Sequence, residues 1–82
     1  MQANYFGGHK HGQSEEVALT KPSKHTPNDG DRGGYVLMTT WERGGQTFEA
    51  DYRHEAMGDA EFRAAQARQH GARDGVTATQ VS

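Results

Sequence analysis

Residues 35–54 read YVLMTTWERGGQTFEADYRH, and the fold turns on how this stretch pairs with itself. Two runs rich in β-branched and aromatic residues flank Gly44-Gly45, the signature of a β-hairpin closed by a two-residue turn. Centring the turn on the two glycines sets Trp41 against Phe48, Thr39 against Ala50, Leu37 against Tyr52 and Tyr35 against His54. Every aromatic side chain of both runs then falls on one face. The other face carries Val36 against Arg53, Met38 against Asp51, Thr40 against Glu49 and Glu42 against Thr47. A slip of one residue would scatter the aromatics over both faces, so the pattern selects this register.

Upstream of the hairpin, the clusters Tyr5-Phe6 and Val17-Ala18-Leu19 read as two short strands joined by the turn-rich segment 7–12. Residues 20–33 hold both prolines, Pro22 and Pro27, and almost nothing apolar, which predicts a mobile loop. Downstream, Gly58 or Asp59 N-caps a helix running to His70, and Gly71 ends it. Glu61 in its first turn and Arg68 and His70 in its last suit the helix dipole. Ala56, Ala60, Ala64 and Ala67 form one stripe, with Phe62 and Ala65 nearly opposite. Either the alanines allow close approach to a sheet, or Phe62 is the core anchor and the alanines simply favour helix. Residues 76–82 alternate β-branched and small side chains, as a tail or an edge strand.

The expected architecture is a single small domain over residues 1–82, ordered β-β-loop-β-β-α-β. Its class is α+β, a small mainly antiparallel sheet built round the central hairpin with one α-helix. The expected core is Tyr35, Leu37, Trp41, Phe48, Tyr52 and Phe62, joined by Val17 and Leu19. That is little apolar surface for 82 residues that are 32% hydrophobic, so a homodimer through an exposed strand edge or the aromatic face is a live expectation.

Composition removes several function classes. With no cysteine, disulfides and thiolate metal centres are excluded. Nine basic against eleven acidic residues, with no Lys/Arg run, leave no nucleic-acid footprint. No apolar run approaches the roughly 20 residues of a membrane span, and no signal peptide is visible, so a cytoplasmic setting is expected.

Five histidines raise the question of metal. His9 and His11 point to the same side of an extended segment, and His25 or Asp29 could add a ligand. These three histidines are candidates only; a solvated loop is the plainer reading, and no metal or other cofactor is assigned. Glu49 and Asp51 stand two apart on one strand beside Arg53, the look of a solvent-facing charged strand rather than a catalytic pair. His70 is accounted for by the helix C-terminus. There is no nucleophile elbow, and neither Gly-rich segment opens a helix as a phosphate loop does. Catalysis is not expected.

Tyr5-Phe6-Gly7-Gly8, then Gly12, Val17, the two prolines and Gly34-Tyr35-Val36-Leu37 together resemble a pattern of small uncharacterised bacteriophage proteins. That pattern runs aromatic-x-Gly-Gly-Pro-x-Asp-Gly, a strand, a proline-containing loop and a Tyr-led strand pair, and the resemblance covers residues 5–54. The chain departs from it at His9, where proline is usual, and at His11, where aspartate precedes the glycine; the helix lies outside it. The resemblance implies a phage-encoded accessory protein in the host cytoplasm. On this reading the chain binds and modulates a host protein, without catalysis, through Arg32 in the loop and Trp41, Glu42 and Arg43 at the hairpin tip. The alternatives are a self-assembling virion protein and a metal-binding protein built on His9, His11 and His25.

Overall fold

Gly44 and Gly45 sit at φ +60° and +81°, the two positive values that a type I′ turn demands and that any other residue adopts only with strain. The turn joins two nine-residue strands, β3 (Tyr35–Arg43) and β4 (Gln46–His54). A computed structural model describes residues 1–18 and 21–81 around this hairpin. Its other elements are β1 (Gln2–Phe6), β2 (Ser14–Glu16), α1 (Asp59–His70) and β5 (Thr77–Gln80). They form one open five-stranded sheet in the order β2-β1-β4-β3-β5, with the helix on one face. All pairings are antiparallel except β1 with β4. The class is α+β, as the pattern of elements predicts. Among the described residues no helix is long and apolar enough to cross a membrane.

The hairpin register agrees with expectation at both ends and fails in the middle. Tyr35, Val36 and Leu37 face His54, Arg53 and Tyr52, and Glu42 faces Thr47. Between them the ladder slips by one: Thr39 faces Asp51, Thr40 faces Ala50 and Trp41 faces Glu49. Irregularities at Leu37/Thr39 and Trp41/Glu42 open and close the slip. A bulge adds one unpaired residue and re-aims the side chains beyond it. Trp41 accordingly leaves the aromatic face and joins Glu49 and Asp51 on the helix side, and Phe48 is only half-buried. Both leave the expected core.

The buried apolar residues divide between the two faces. Away from the helix lie Ala3, Tyr5, Tyr35, Leu37, Ala50 and Tyr52, flanked by Val17. Facing the helix lie Phe6, Met38, Phe62 and Ala65. The helix therefore docks through Phe62 and Ala65, while Ala56, Ala60, Ala64 and Ala67 are exposed, which decides between the two readings of its alanines. Strand β2 also differs from expectation: it is the polar Ser14–Glu16, with Val17 just beyond it, its N–H bonded to the Met1 carbonyl. Leu19, expected in that strand and in the core, lies outside the described residues, as do Thr20 and Ser82.

Within the polar segment 21–34, residues 23–26 are held to β3 and β4 by hydrogen bonds. Thr26 N–H donates to the Tyr35 carbonyl (2.9 Å), Leu37 N–H to the Lys24 carbonyl (2.8 Å) and Tyr52 Oη to the Ser23 carbonyl (2.7 Å). Residues 24–26 and β5 thus cover successive stretches of the same outer edge of β3.

On the tyrosine face, burial and a hydrogen bond to Glu15 push the Tyr5 hydroxyl up to about 12, and burial raises Tyr52 as well. Both groups ionise more easily in the unfolded chain, so their contribution is intact below pH 10 and is lost as the pH rises toward 12. Thermal unfolding should fall in Tm between pH 9 and 11.5, and the fall should flatten in Tyr5→Phe/Tyr52→Phe. An equal slope in the double variant would contradict this assignment.

Candidate functional site

Asp51 points from β4 toward the helix and is fully buried, with 0% exposure. Its Oδ1 accepts from Asn4 Nδ2 of β1 at 2.8 Å. Its Oδ2 accepts from Trp41 Nε1 at 2.9 Å and Gln66 Nε2 at 2.9 Å, and lies 2.8 Å from His70 Nε2. An ionised carboxylate only accepts, so His70 carries hydrogen on Nε2. Glu49, 6% exposed, accepts from Asn4 Nδ2 on Oε2 and from the Arg73 guanidinium at 3.0 Å on Oε1. The Arg73 guanidinium also lies 4.6 Å from the Trp41 ring centre, and the His70 ring 5.1 Å from it. Thr39 Oγ1 extends the network, accepting from Gln66 at 3.0 Å and donating to Gln80 at 3.1 Å.

Each element places its share for a local reason. Helical residues four apart fall on one face, so Phe62, Gln66 and His70 form a single row. The first end of that row is apolar and the rest polar. Strand alternation puts Glu49 and Asp51 together, and the bulge delivers Trp41 beside them. The solvent-facing reading of Glu49 and Asp51 is therefore overturned, because helix α1 and β1 cover them with matched donors. His70 likewise does more than end the helix. The readable signal was Gln66 and His70 spaced like Phe62 on the helix face; nothing in the chain pointed to Asn4.

Glu49, Asp51 and His70 offer ligand atoms within 4.8 Å of one another, the residue types that bind divalent ions. Their surroundings fit an ion poorly. Asp51 already meets four N–H groups, both carboxylates share the Asn4 amide, and Arg73 supplies the positive charge beside Glu49. Both carboxylates are buried, at 6% and 0% exposure. The arrangement is a closed network that fixes β1, β3, β4 and α1 against one another.

The expected contact residues fall in two places. Arg32 is exposed on a 3₁₀ turn, Gly30–Arg32, at the base of the hairpin, its guanidinium 3.9 Å from Asp29. Trp41, Glu42 and Arg43 lie toward the tip, at the opposite end of the strands. Arg43 covers the Phe48 ring at 4.9 Å, and Glu42 accepts from Thr40 Oγ1 at 3.1 Å. Trp41 is half-buried with its indole N–H committed to Asp51, so it is a structural member first.

The candidate metal histidines do not converge. His11 Nδ1 accepts from Gly7 N–H (2.7 Å), and His25 is exposed, with only its backbone bridging to Val36. His9 Nε2 stands 3.7 Å from Asp29, and its ring meets those of Tyr35 and His54 at 5.6 and 6.0 Å. His54 fills space that side chains would need: a Cβ on Gly8 would lie 2.3 Å from its ring, and one on Gly33 3.0 Å from its Nε2. Both positions also have positive φ, +66° and +77°, and at Gly33 the Glu55 Oε1 would lie nearer still, at 2.6 Å.

The sheet ends in two different edges. β2 is three residues long and carries Glu15 and Glu16, charges that discourage further strand pairing. β5 reads Thr-Ala-Thr-Gln, uncharged and exposed throughout. No family model matches this chain, and no curated protein or solved structure matches it either.

Proposed function

We propose that this chain is a small accessory protein of bacteriophage type that binds and modulates a host protein without chemistry of its own. The observation that carries the reading is the contrast between its groups. The acid–histidine set is sealed by its own donors, whereas the uncharged β5 edge and Arg43 at the hairpin tip are offered to solvent. An open edge accepts an extended segment of a partner by main-chain hydrogen bonding. The resemblance over residues 5–54 supports the phage setting and the host partner.

Affinity capture from host lysate tests this, with Ala78→Lys on the β5 edge and Arg43→Glu at the tip as probes. Both positions are exposed, so circular dichroism should stay that of the parent. The expected result is one host protein held by the parent and lost from at least one variant, with its activity altered on adding the purified chain. A host protein held equally by all three, or none held at all, overturns the reading. The same edge suits a second copy of the chain, the self-assembly alternative; a stable dimer by light scattering that Ala78→Lys dissociates would favour it.

A further inference from the structure

We infer that the partner reaches β5 as an extended acidic segment, and that Arg63 of α1 reads its carboxylate. This rests on the reading that a protein partner docks on that edge. The backbone comes first. Val81 N–H donates to the Met38 carbonyl at 2.9 Å, and Thr79 and Thr77 pair with Thr40 and Glu42 in the same register. Antiparallel ladders alternate, so Thr77, Thr79 and Val81 turn their backbone groups toward β3. The N–H and C=O of Ala78 and Gln80 therefore point outward, to whatever strand comes next. All four residues of β5 are exposed and none is charged, so nothing on the strand itself repels an added one.

The side chains around β5 select the strand. Gln80 turns to the helix side, where its Oε1 accepts from Thr39 Oγ1 at 3.1 Å and from the Arg63 guanidinium. Arg63 is exposed, and its other contacts are also neutral: Gln66 Oε1 at 3.3 Å and Thr39 Oγ1 at 3.4 Å. Asp59, one turn earlier on the helix, pairs with Arg53 at 3.5 Å. Among the described residues no carboxylate pairs with Arg63. A guanidinium held over a strand edge by neutral acceptors keeps its charge for an incoming acid.

The residue that an added strand sets beside Gln80 shares its face, and its side chain comes within reach of Arg63. The other end of β5 has the opposite sign, because Thr77 pairs with Glu42. A carboxylate brought there meets a like charge, so the acid belongs beside Gln80. A second copy of the chain, adding its own Thr-Ala-Thr-Gln strand, brings no charge to that position.

Two-dimensional ¹H–¹⁵N NMR of the full chain tests this without any lysate. The probes are a soluble Thr-Glu-Thr-Glu-Thr peptide and its Thr-Lys-Thr-Lys-Thr counterpart. The amides of Ala78 and Gln80 should shift on titration, and the acidic peptide should bind about fivefold tighter, the worth of an exposed ion pair. That preference should shrink in high salt, vanish in Arg63→Gln and reverse in Arg63→Glu. Equal affinity for the two peptides, an undiminished preference in Arg63→Gln, or shifts that spare Ala78 and Gln80 would overturn the proposal. So would the absence of any shift at millimolar peptide; if the β5 amides then broaden with protein concentration, the edge belongs to a second copy. Comparing the two peptides on the parent needs no variant to fold. A host protein captured through β5 by a parent that ignores the acidic peptide sinks this inference alone. A clear acidic preference with no host protein captured sinks only the reading it rests on.

Discussion

Asp51→Ala should destabilise the fold by about 3–5 kcal/mol, the cost of stripping one partner from a buried charged network. Removing the carboxylate strands N–H groups of Asn4, Trp41, Gln66 and His70 inside the protein at once. Each buried donor left unpaired costs about 1–3 kcal/mol, so the total reaches that range even after partial relaxation. A domain of this length is marginal to begin with, and little folded protein should remain at 37 °C. Asp51→Asn should also destabilise, because its amide turns an NH₂ toward donors. Urea unfolding followed by Trp41 fluorescence measures both, since the indole sits on the network. A loss of under 1 kcal/mol in Asp51→Ala would show that the network is dispensable.

Phe62→Ala should cost about 3–5 kcal/mol and undock the helix. Phe62 is the sole large apolar side chain of α1, fully buried, with its ring edge-on to Phe6 at 5.3 Å. Ala65 alone cannot replace that contact, and the remaining inward residues, Gln66 and His70, are held only while the helix is seated. Loss of ellipticity at 222 nm with cleavage after Arg63 or Arg68 by trypsin would register the change. Phe62→Leu, which keeps most of the volume, should lose far less. A helix that resists trypsin in Phe62→Ala would place its anchorage in the polar contacts instead.

The sequence made the helix legible to within a residue at its start, where Gly58 or Asp59 could cap it, and at its end near His70, because caps and dipole charges mark both ends of Asp59–His70. The hairpin was legible at its turn and base for the same kind of reason: Gly44-Gly45 and the Tyr35–His54 pairing are local. The slip between them was not. One extra residue enters β3 near Met38 and one enters β4 near Phe48, so the two displacements cancel at the tip. Alternation read from either end therefore looks regular, yet Trp41 changes face. The candidate site suffered most from this. Hydropathy ranks Glu49, Asp51, Gln66 and His70 as surface residues, and only the placement of Asn4 and Trp41 opposite them makes burial affordable. Loop residues 24–26 obey the same logic: they join the sheet through backbone groups, on which side-chain patterns are silent.

The parallel pairing of β1 with β4 bears on how the chain reaches its fold. Every pair in that ladder, such as Ala3 with Ala50, joins residues 47 positions apart, whereas the hairpin closes through two glycines. Local closure is fast, and long-range closure waits on chain entropy, so the hairpin is the natural nucleus and β1 a late arrival. On the ribosome the first strand made can take its place only after the fourth has emerged. Until then Asn4 lacks its Glu49 and Asp51 partners, and the network assembles in the last cooperative step rather than the first.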